Sequence, residues 1–245
     1  MATKRAPRKR KETDITKEVT DAYKKNFECS NIKIKKQYPL TKNHTRFYHL
    51  SQLPQTNIVF VDGPAGSAKS YLAVYSALEL LKERHADQII YIRSVVESSS
   101  RSIGLLPGEL DEKFSPYSMP LMEKLREIVE PAAITSLMSG KYLEAIPVNF
   151  VRGLTFHNSV VIIDESQNMT RNELTTILTR FGRNSKYFVC GDIKQCDIRD
   201  SGFEGVYKAF DTEHSEKNNI HCVQFDAYDI VRSPILKHIT QVLKV

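Results

Sequence analysis

No apolar run in this sequence approaches the roughly 20 residues that a membrane span requires, so a spanning helix is excluded at the outset. The N-terminus has neither the apolar core nor the small-residue cleavage site of a secretory leader, and the chain is read as cytoplasmic. Cysteine is sparse. Cys29, Cys190, Cys196 and Cys222 form no C-x-x-C pair and no metal-ligand spacing, which argues against a disulfide frame or a zinc site and for isolated buried thiols.

What is present fits one folded unit. At 245 residues, with 41% hydrophobic and 26% charged residues, the chain can bury a full core but is short for two. The net charge of +6 is unevenly placed: Lys4, Arg5, Arg8, Lys9, Arg10 and Lys11 precede the first acid, Glu12, and account for all of it. Residues 1–14 therefore read as a basic tail and 15–245 as one domain, with the chain beyond Lys11 formally neutral. Such a tail either grips a phosphate backbone without reading sequence or is a solvated, unstructured end.

Along the chain, strand and helix patterns alternate. Residues 57–61 are a short apolar run ending at Asp62-Gly63-Pro64. From Lys69 to about Arg84, Leu72, Ala73, Ser76, Ala77, Leu80 and Leu81 line one helical face. A second strand is expected at Ile89 to Ile92. Between Arg93 and Asn149 the prolines Pro107, Pro116, Pro120, Pro131 and Pro147 interrupt any long element, leaving short helices near 121–129 and 134–138. Further strands are expected at 160–163, 187–190 and 221–225. Helices are expected around Leu174 to Phe181, Phe203 to Phe210, and Pro234 to Leu243. This order predicts an α/β fold with a doubly wound, mostly parallel sheet.

The strongest chemical signal is Gly63-Pro64-Ala65-Gly66-Ser67-Ala68-Lys69-Ser70, set between a predicted strand and a predicted helix. In that setting loop amides and the helix N-terminus converge on phosphate oxygens. Lys69 would reach the β- and γ-phosphates of ATP, and Ser70 would hold Mg²⁺. Ala68 occupies a position where glycine is usual, and its methyl adds backbone strain unless φ is negative.

A second signal is Val160-Val161-Ile162-Ile163-Asp164-Glu165-Ser166-Gln167, an apolar strand delivering two carboxylates at its C-terminal end. Asp164 suits a Mg²⁺ contact, and Glu165 suits a base that orients the attacking water. Gly191-Asp192-Ile193-Lys194-Gln195 places a carboxamide, Gln195, where a γ-phosphate could be sensed. Arg180 and Arg232 are candidates for stabilising transferred charge, in cis or from another subunit, with Arg93 and Arg152 behind them. Tyr117, Phe150 and Phe156 are either stacking platforms for a single strand or core residues.

Taken together these stretches resemble the PhoH-like family of P-loop ATPases, relatives of superfamily-one helicase cores with a RecA-like fold. The resemblance runs from about Tyr38 to the C-terminus. It includes Leu106-Pro107-Gly108-Glu109-Leu110, Pro116-Tyr117, Pro120-Leu121, Val151-Arg152-Gly153-Leu154-Thr155-Phe156, Leu178-Thr179-Arg180-Phe181-Gly182 and Val231-Arg232-Ser233-Pro234. It implies ATP hydrolysis, ring-like homo-oligomers such as hexamers, and action on RNA or single-stranded DNA. A short chain with a basic tail would also suit a phage-encoded member. Four positions depart from the family: Ala68 and Ser166 replace Gly and Ala, Ser233 replaces a histidine, and His44 replaces a glutamine in Thr41-Lys42-Asn43-His44. His44 is therefore the family-equivalent candidate for contacting the base. The roughly 35 residues before Tyr38 are too few for a further folded domain. Two other functions compete with a nucleic-acid motor: a nucleotide-gated binding module that hydrolyses little, and a small-molecule kinase of the nucleoside type.

Overall fold

A computed structural model describes residues 31–35, 40–94, 110–231, 235, 238, 239 and 242, with the side chains of 110–117 left aside. The basic tail, Cys29, Leu106 to Gly108 and Arg232 lie outside the described residues, as does the side chain of Tyr117. Of the expected closing helix, residues 235, 238, 239 and 242 are helical, and the rest of that stretch lies outside.

Six strands build one sheet. They are β1 (Ile58–Asp62), β2 (Gln88–Arg93), β3 (Leu143–Pro147), β4 (Ser159–Asp164), β5 (Lys186–Gly191) and β6 (Ile220–Gln224). Their order across the sheet is β3-β2-β4-β5-β1-β6, and every neighbouring pair is parallel. The central strands read as continuous Val/Ile runs because both faces are covered, so neither face selects for polar residues. In β4 all six residues are buried.

Side chains alternate across the sheet and divide the core in two. One cluster joins Val59, Val61, Ile89, Tyr91, Val160, Ile162, Phe188 and Cys190 to the helix α2 (Lys69–Lys82). The other joins Phe60, Ile90, Ile92, Val161, Ile163 and Val189 to Leu174 and Ile177 of α5 (Arg171–Leu178) and to Phe203 of α6 (Phe203–Phe210). Trimming any one of the large aliphatic residues here to alanine would cost about 2–5 kcal/mol.

The strands and helices expected from periodicity are present, with bounds shifted by one to three residues. The middle of the chain is different. The helix α3 (Leu110–Ile128) runs straight through Pro116 and Pro120. Each proline removes one backbone donor and would destabilise a lone helix by about 3 kcal/mol. Burial offsets this: Leu121, Leu125 and Ile128 are fully buried in the first cluster. α3 packs on α2, β2 and β3. A second helix, α4 (Pro131–Ser139), opens with its proline in the first turn, where no donor is lost.

Three elements carry no clear sequence signal. The edge strand β3 is short, with Glu144 exposed and Pro147 at its end. α7 (Glu213–Lys217) is a single polar turn capped by Thr212. α1 (Lys42–Gln52) buries His44, Phe47 and Ser51, so two of the three residues on its inner face are polar and the apolar period disappears. Among the described residues, no helix is long and apolar enough to cross a membrane.

Candidate nucleotide site

The C-terminal ends of β1, β5 and β4 lie side by side, because β5 and β4 are inserted between β1 and β2. In a parallel sheet this is the edge where ligands bind. A cavity of about 370 Å³ opens there, lined by Ala65, Gly66, Ala68, Lys69 and Ser70 after β1 and by Asp164, Glu165 and Gln167 after β4, with Asp192 and Gln195 after β5.

The glycine-rich loop is shaped by its own residues. Gly63 admits no side chain, since a Cβ there would lie 2.6 Å from Cβ of Phe225. Gly66 has φ +79° and Ala68 has φ +63°, so the left-handed turn ahead of α2 is completed by an alanine. Ser67 is fully buried, and its hydroxyl donates to the Pro64 carbonyl at 2.7 Å. The Lys69 ammonium donates to the carbonyls of Gly63, at 2.5 Å, and Pro64, at 2.9 Å.

Asp164 is braced from two sides. Ser70 Oγ donates to one carboxylate oxygen at 2.6 Å, and the buried Tyr91 hydroxyl donates to the other at 2.5 Å. The pairing of β2 with β4 explains the second contact: Tyr91 pairs with Ile162 and Arg93 with Asp164, so all four side chains fall on the α2 face. Burial, with the Asp164 charge adding, pushes the Tyr91 phenol well above its usual value, and it stays a donor at neutral pH.

Glu165 adopts a left-handed backbone, φ +52° and ψ +42°, which turns its side chain out of the strand direction. Gln167 Nε2 donates to its carboxylate at 2.6 Å, while Gln167 Oε1 accepts from the Asp192 amide at 3.1 Å. One carboxamide therefore ties the ends of β4 and β5 together. Arg93 approaches Glu165 at 4.0 Å. Burial raises the Glu165 carboxyl, with Asp164 adding to the effect and Arg93 opposing it. Asp192 Oδ1 accepts from the Lys194 amide at 3.0 Å, but its Oδ2 is buried with no partner among the described residues. Asp62 accepts from the Ile193 amide at 2.9 Å, and burial pushes its carboxyl upward.

His44 lies behind the loop and outside the cavity lining. It is 1% exposed, its Nε2 meets the Ser67 carbonyl at 3.0 Å, and its Nδ1 accepts from the Thr41 amide at 3.5 Å. Those contacts define one neutral tautomer, with the proton on Nε2, and burial lowers the pKa of the ring from 6.5 accordingly. Its ring and that of Phe225 pack in a T-shaped pair with centroids 4.8 Å apart. Asp229, which accepts from Thr41 and Asn43, pins the start of α1.

Arg180 is also away from the cavity. Its carbonyl accepts from the Phe156 amide just ahead of β4, at the opposite edge of the sheet from Asp164. A six-residue strand separates the two by about 20 Å, beyond the reach of a side chain in the same chain. Its Nε is buried without a partner among the described residues. Arg152 lines a separate hollow with Val148, Asn149, Glu173 and Thr176. Phe156 is buried in the core, and Phe150 is 59% exposed. The cavity also contains residues with no sequence motif of their own, since Lys124 and Glu127 line it directly and Tyr91 supports it from beneath; Gln167, at the end of the second motif, lines it as well.

The comparisons with known proteins agree with this geometry. The family described as "PhoH-like protein" matches residues 38–244. The chain is 35% identical over 201 residues to a PhoH-like protein of Mycobacterium tuberculosis (strain ATCC 25618 / H37Rv), covering 82% of this chain and 56% of that one. It is 34% identical over 193 residues to a PhoH-like protein of Bacillus subtilis (strain 168), covering 79% and 60%. It is 33% identical over 199 residues to Protein PhoH of Escherichia coli (strain K12), covering 80% and 55%. The chain thus spans little more than half the length of these relatives. Among solved structures, the large terminase of a thermophilic bacteriophage in complex with ADP superposes with a TM-score of 0.50 at 14% identity, over 82% of this chain and 50% of that one, a likeness of fold. With its motifs set in order around one cavity and its length matched from residue 38 to residue 244, the chain belongs to the PhoH-like family.

Proposed function

We propose that this protein binds and hydrolyses ATP, as an oligomeric motor or switch on RNA or single-stranded DNA. The observation that carries the reading is the meeting, in one cavity, of Lys69 and Ser70 with Asp164 and Glu165, the last braced by Gln167. Loop amides and the α2 N-terminus receive the phosphates. Lys69, now spending its protons on Gly63 and Pro64 carbonyls, turns to the β- and γ-oxygens. Ser70 and Asp164 are the residues that would hold Mg²⁺, which when bound neutralises charge between the β- and γ-phosphates. Among the described residues no group of three or more His, Cys, Asp or Glu could cage a metal, so a cation here would rely on the phosphates as ligands.

Glu165 is placed to take a proton from the attacking water. Burial raises its carboxyl above the ordinary glutamate range, which makes its carboxylate a stronger base than that of a surface glutamate. Gln195 reaches the same cavity and can donate to a γ-oxygen. Arg180, remote from its own site, serves only if a neighbouring subunit presents it, which favours a ring; Arg232 is the other arginine for such a role. The phage terminase was solved with ADP, which supports a nucleotide in this fold. Nucleic acid as partner is supported by the family resemblance and by the basic tail. One observation favours a second reading, a nucleotide-gated binding module: the left-handed Ala68 sets a methyl at the phosphate-facing turn.

The test is phosphate release from Mg-ATP by wild type, Lys69→Ala and Glu165→Gln, each with and without single-stranded RNA and DNA. Turnover that rises with a strand and falls by about 10²–10⁴-fold in Glu165→Gln supports the motor. Turnover indifferent to every strand removes the motor and keeps the ATPase. Tight Mg-ATP binding with no turnover supports the gated module.

A further inference from the structure

The cavity has a second cationic wall, opposite the glycine-rich loop. Lys124 on α3 and Arg93 at the end of β2 both line it. The Lys124 side chain is only 16% exposed, although lysines normally keep the ammonium in water and bury only the stem. Among the described residues it pairs with Glu127, one turn along the same helix, at 4.0 Å and half exposed. An i,i+3 pair of that kind contributes only about 0.2–0.5 kcal/mol and does not account for holding an ammonium in a cleft. Arg93 is in a similar position, mostly buried and 4.0 Å from Glu165.

The sheet order says which part of a nucleotide this wall meets. Asp164 and Glu165, which must face the reacting phosphate, stand on β4, and Arg93 and Lys124 approach from the β2 side of β4. The loop after β1 lies on the other side, separated from β4 by β5. The phosphate chain therefore enters from the loop and points its last group toward α3. Charge is consistent with the same arrangement. The cavity carries Asp164, Glu165, Asp192 and Glu127; the loop supplies Lys69, a Mg²⁺ held by Ser70 and Asp164 would add charge beside it, and Arg93 and Lys124 are the cationic side chains lining the β2 side of β4.

We propose that Lys124, aided by Arg93, contacts the terminal phosphate of a nucleoside triphosphate, so that helix α3 distinguishes triphosphate from diphosphate. This rests on the nucleotide reading above and adds a contact from a helix outside the glycine-rich loop and the strand-end motifs.

The experiment measures equilibrium binding of ADP and of a non-hydrolysable β,γ-imido ATP analogue, with Mg²⁺, to wild type, Lys124→Gln, Lys124→Arg and Lys69→Ala. Lys124→Gln keeps the stem and the helix and is expected to weaken the triphosphate analogue about tenfold while changing ADP by no more than about twofold. Lys124→Arg restores most of the difference, and Lys69→Ala weakens both ligands. Equal losses for both nucleotides in Lys124→Gln, or no loss in either, would overturn the proposal while leaving nucleotide binding intact. A wild type that binds neither nucleotide would overturn the underlying reading as well. Because binding alone is read, a lack of hydrolysis does not affect the outcome.

Discussion

Replacing Ala68 by glycine tests whether the loop is strained as its backbone indicates. Ala68 has φ +63° and ψ +18°, a left-handed conformation that costs a residue with a Cβ about 1–2 kcal/mol. Glycine removes that strain but adds freedom to the unfolded chain, worth about 0.4–1 kcal/mol. Ala68 is also half-buried, so its methyl contributes part of the roughly 0.8 kcal/mol of a fully buried one. With about half of that methyl counted, the balance runs from about 0.4 kcal/mol of destabilisation to about 1.2 kcal/mol of stabilisation. The proper control is Ala77→Gly in the middle of α2, at 0% exposure, where no strain is relieved. There, helix propensity and the lost methyl together destabilise by about 1.5–2 kcal/mol. For a chain of this size 1 kcal/mol moves the melting temperature by about 2–4 °C. Thermal melts without nucleotide should thus place Ala68→Gly between about 2 °C below wild type and about 5 °C above it, and Ala77→Gly about 3–8 °C below. Equal falls in the two variants would refute the strain argument.

Two further predictions concern groups behind and beneath the loop. His44 is neutral in the folded protein because burial lowers its pKa below 6.5, whereas the unfolded chain takes up a proton near 6.5. Its contribution is therefore complete above that pH and is lost as the pH falls from 6.5 toward the lowered folded value. In His44→Gln the amide can still donate to the Ser67 carbonyl but does not titrate, so the difference in melting temperature between wild type and variant should shift against wild type between about pH 7.5 and about pH 5.5; a constant difference would contradict the assignment. Tyr91→Phe keeps the ring but strips a donor from a buried carboxylate oxygen of Asp164, and should lower unfolding stability by about 1–3 kcal/mol in denaturant titration. A loss much below that range would mean that Asp164 finds a replacement donor.

The parts of the site legible in the sequence are those in which local chain geometry and chemistry coincide. Residues 63–70 had to be a turn between strand and helix, because Gly63 and Gly66 punctuate an apolar run that then becomes a 3.6-residue period. Asp164 and Glu165 were legible for the same reason, as carboxylates ending a run of four β-branched residues. The sheet order was not: that β4 and β5 lie between β1 and β2, and so bring three strand ends into one cavity, is set by packing between residues distant in sequence. Arg180 shows the consequence, since only the topology reveals that it sits at the opposite edge from the carboxylates.

Lys124 was hidden more deeply, and the reason lies in proline. Pro116 and Pro120 stand four residues apart, and each alone argues against a helix through its position. The residues that overrule them, Leu121, Leu125 and Ile128, become decisive only once β2, β3 and α2 supply a surface to bury them. With that surface present the helix extends past both prolines, and its pitch sets Pro120, Lys124 and Glu127 along one side, at i, i+4 and i+7, facing the cavity. A lysine that composition would assign to solvent thus becomes part of the wall. The same prolines that obscure α3 also leave its N-terminal half with fewer internal hydrogen bonds than an ordinary helix, so its position depends on what its inner face touches.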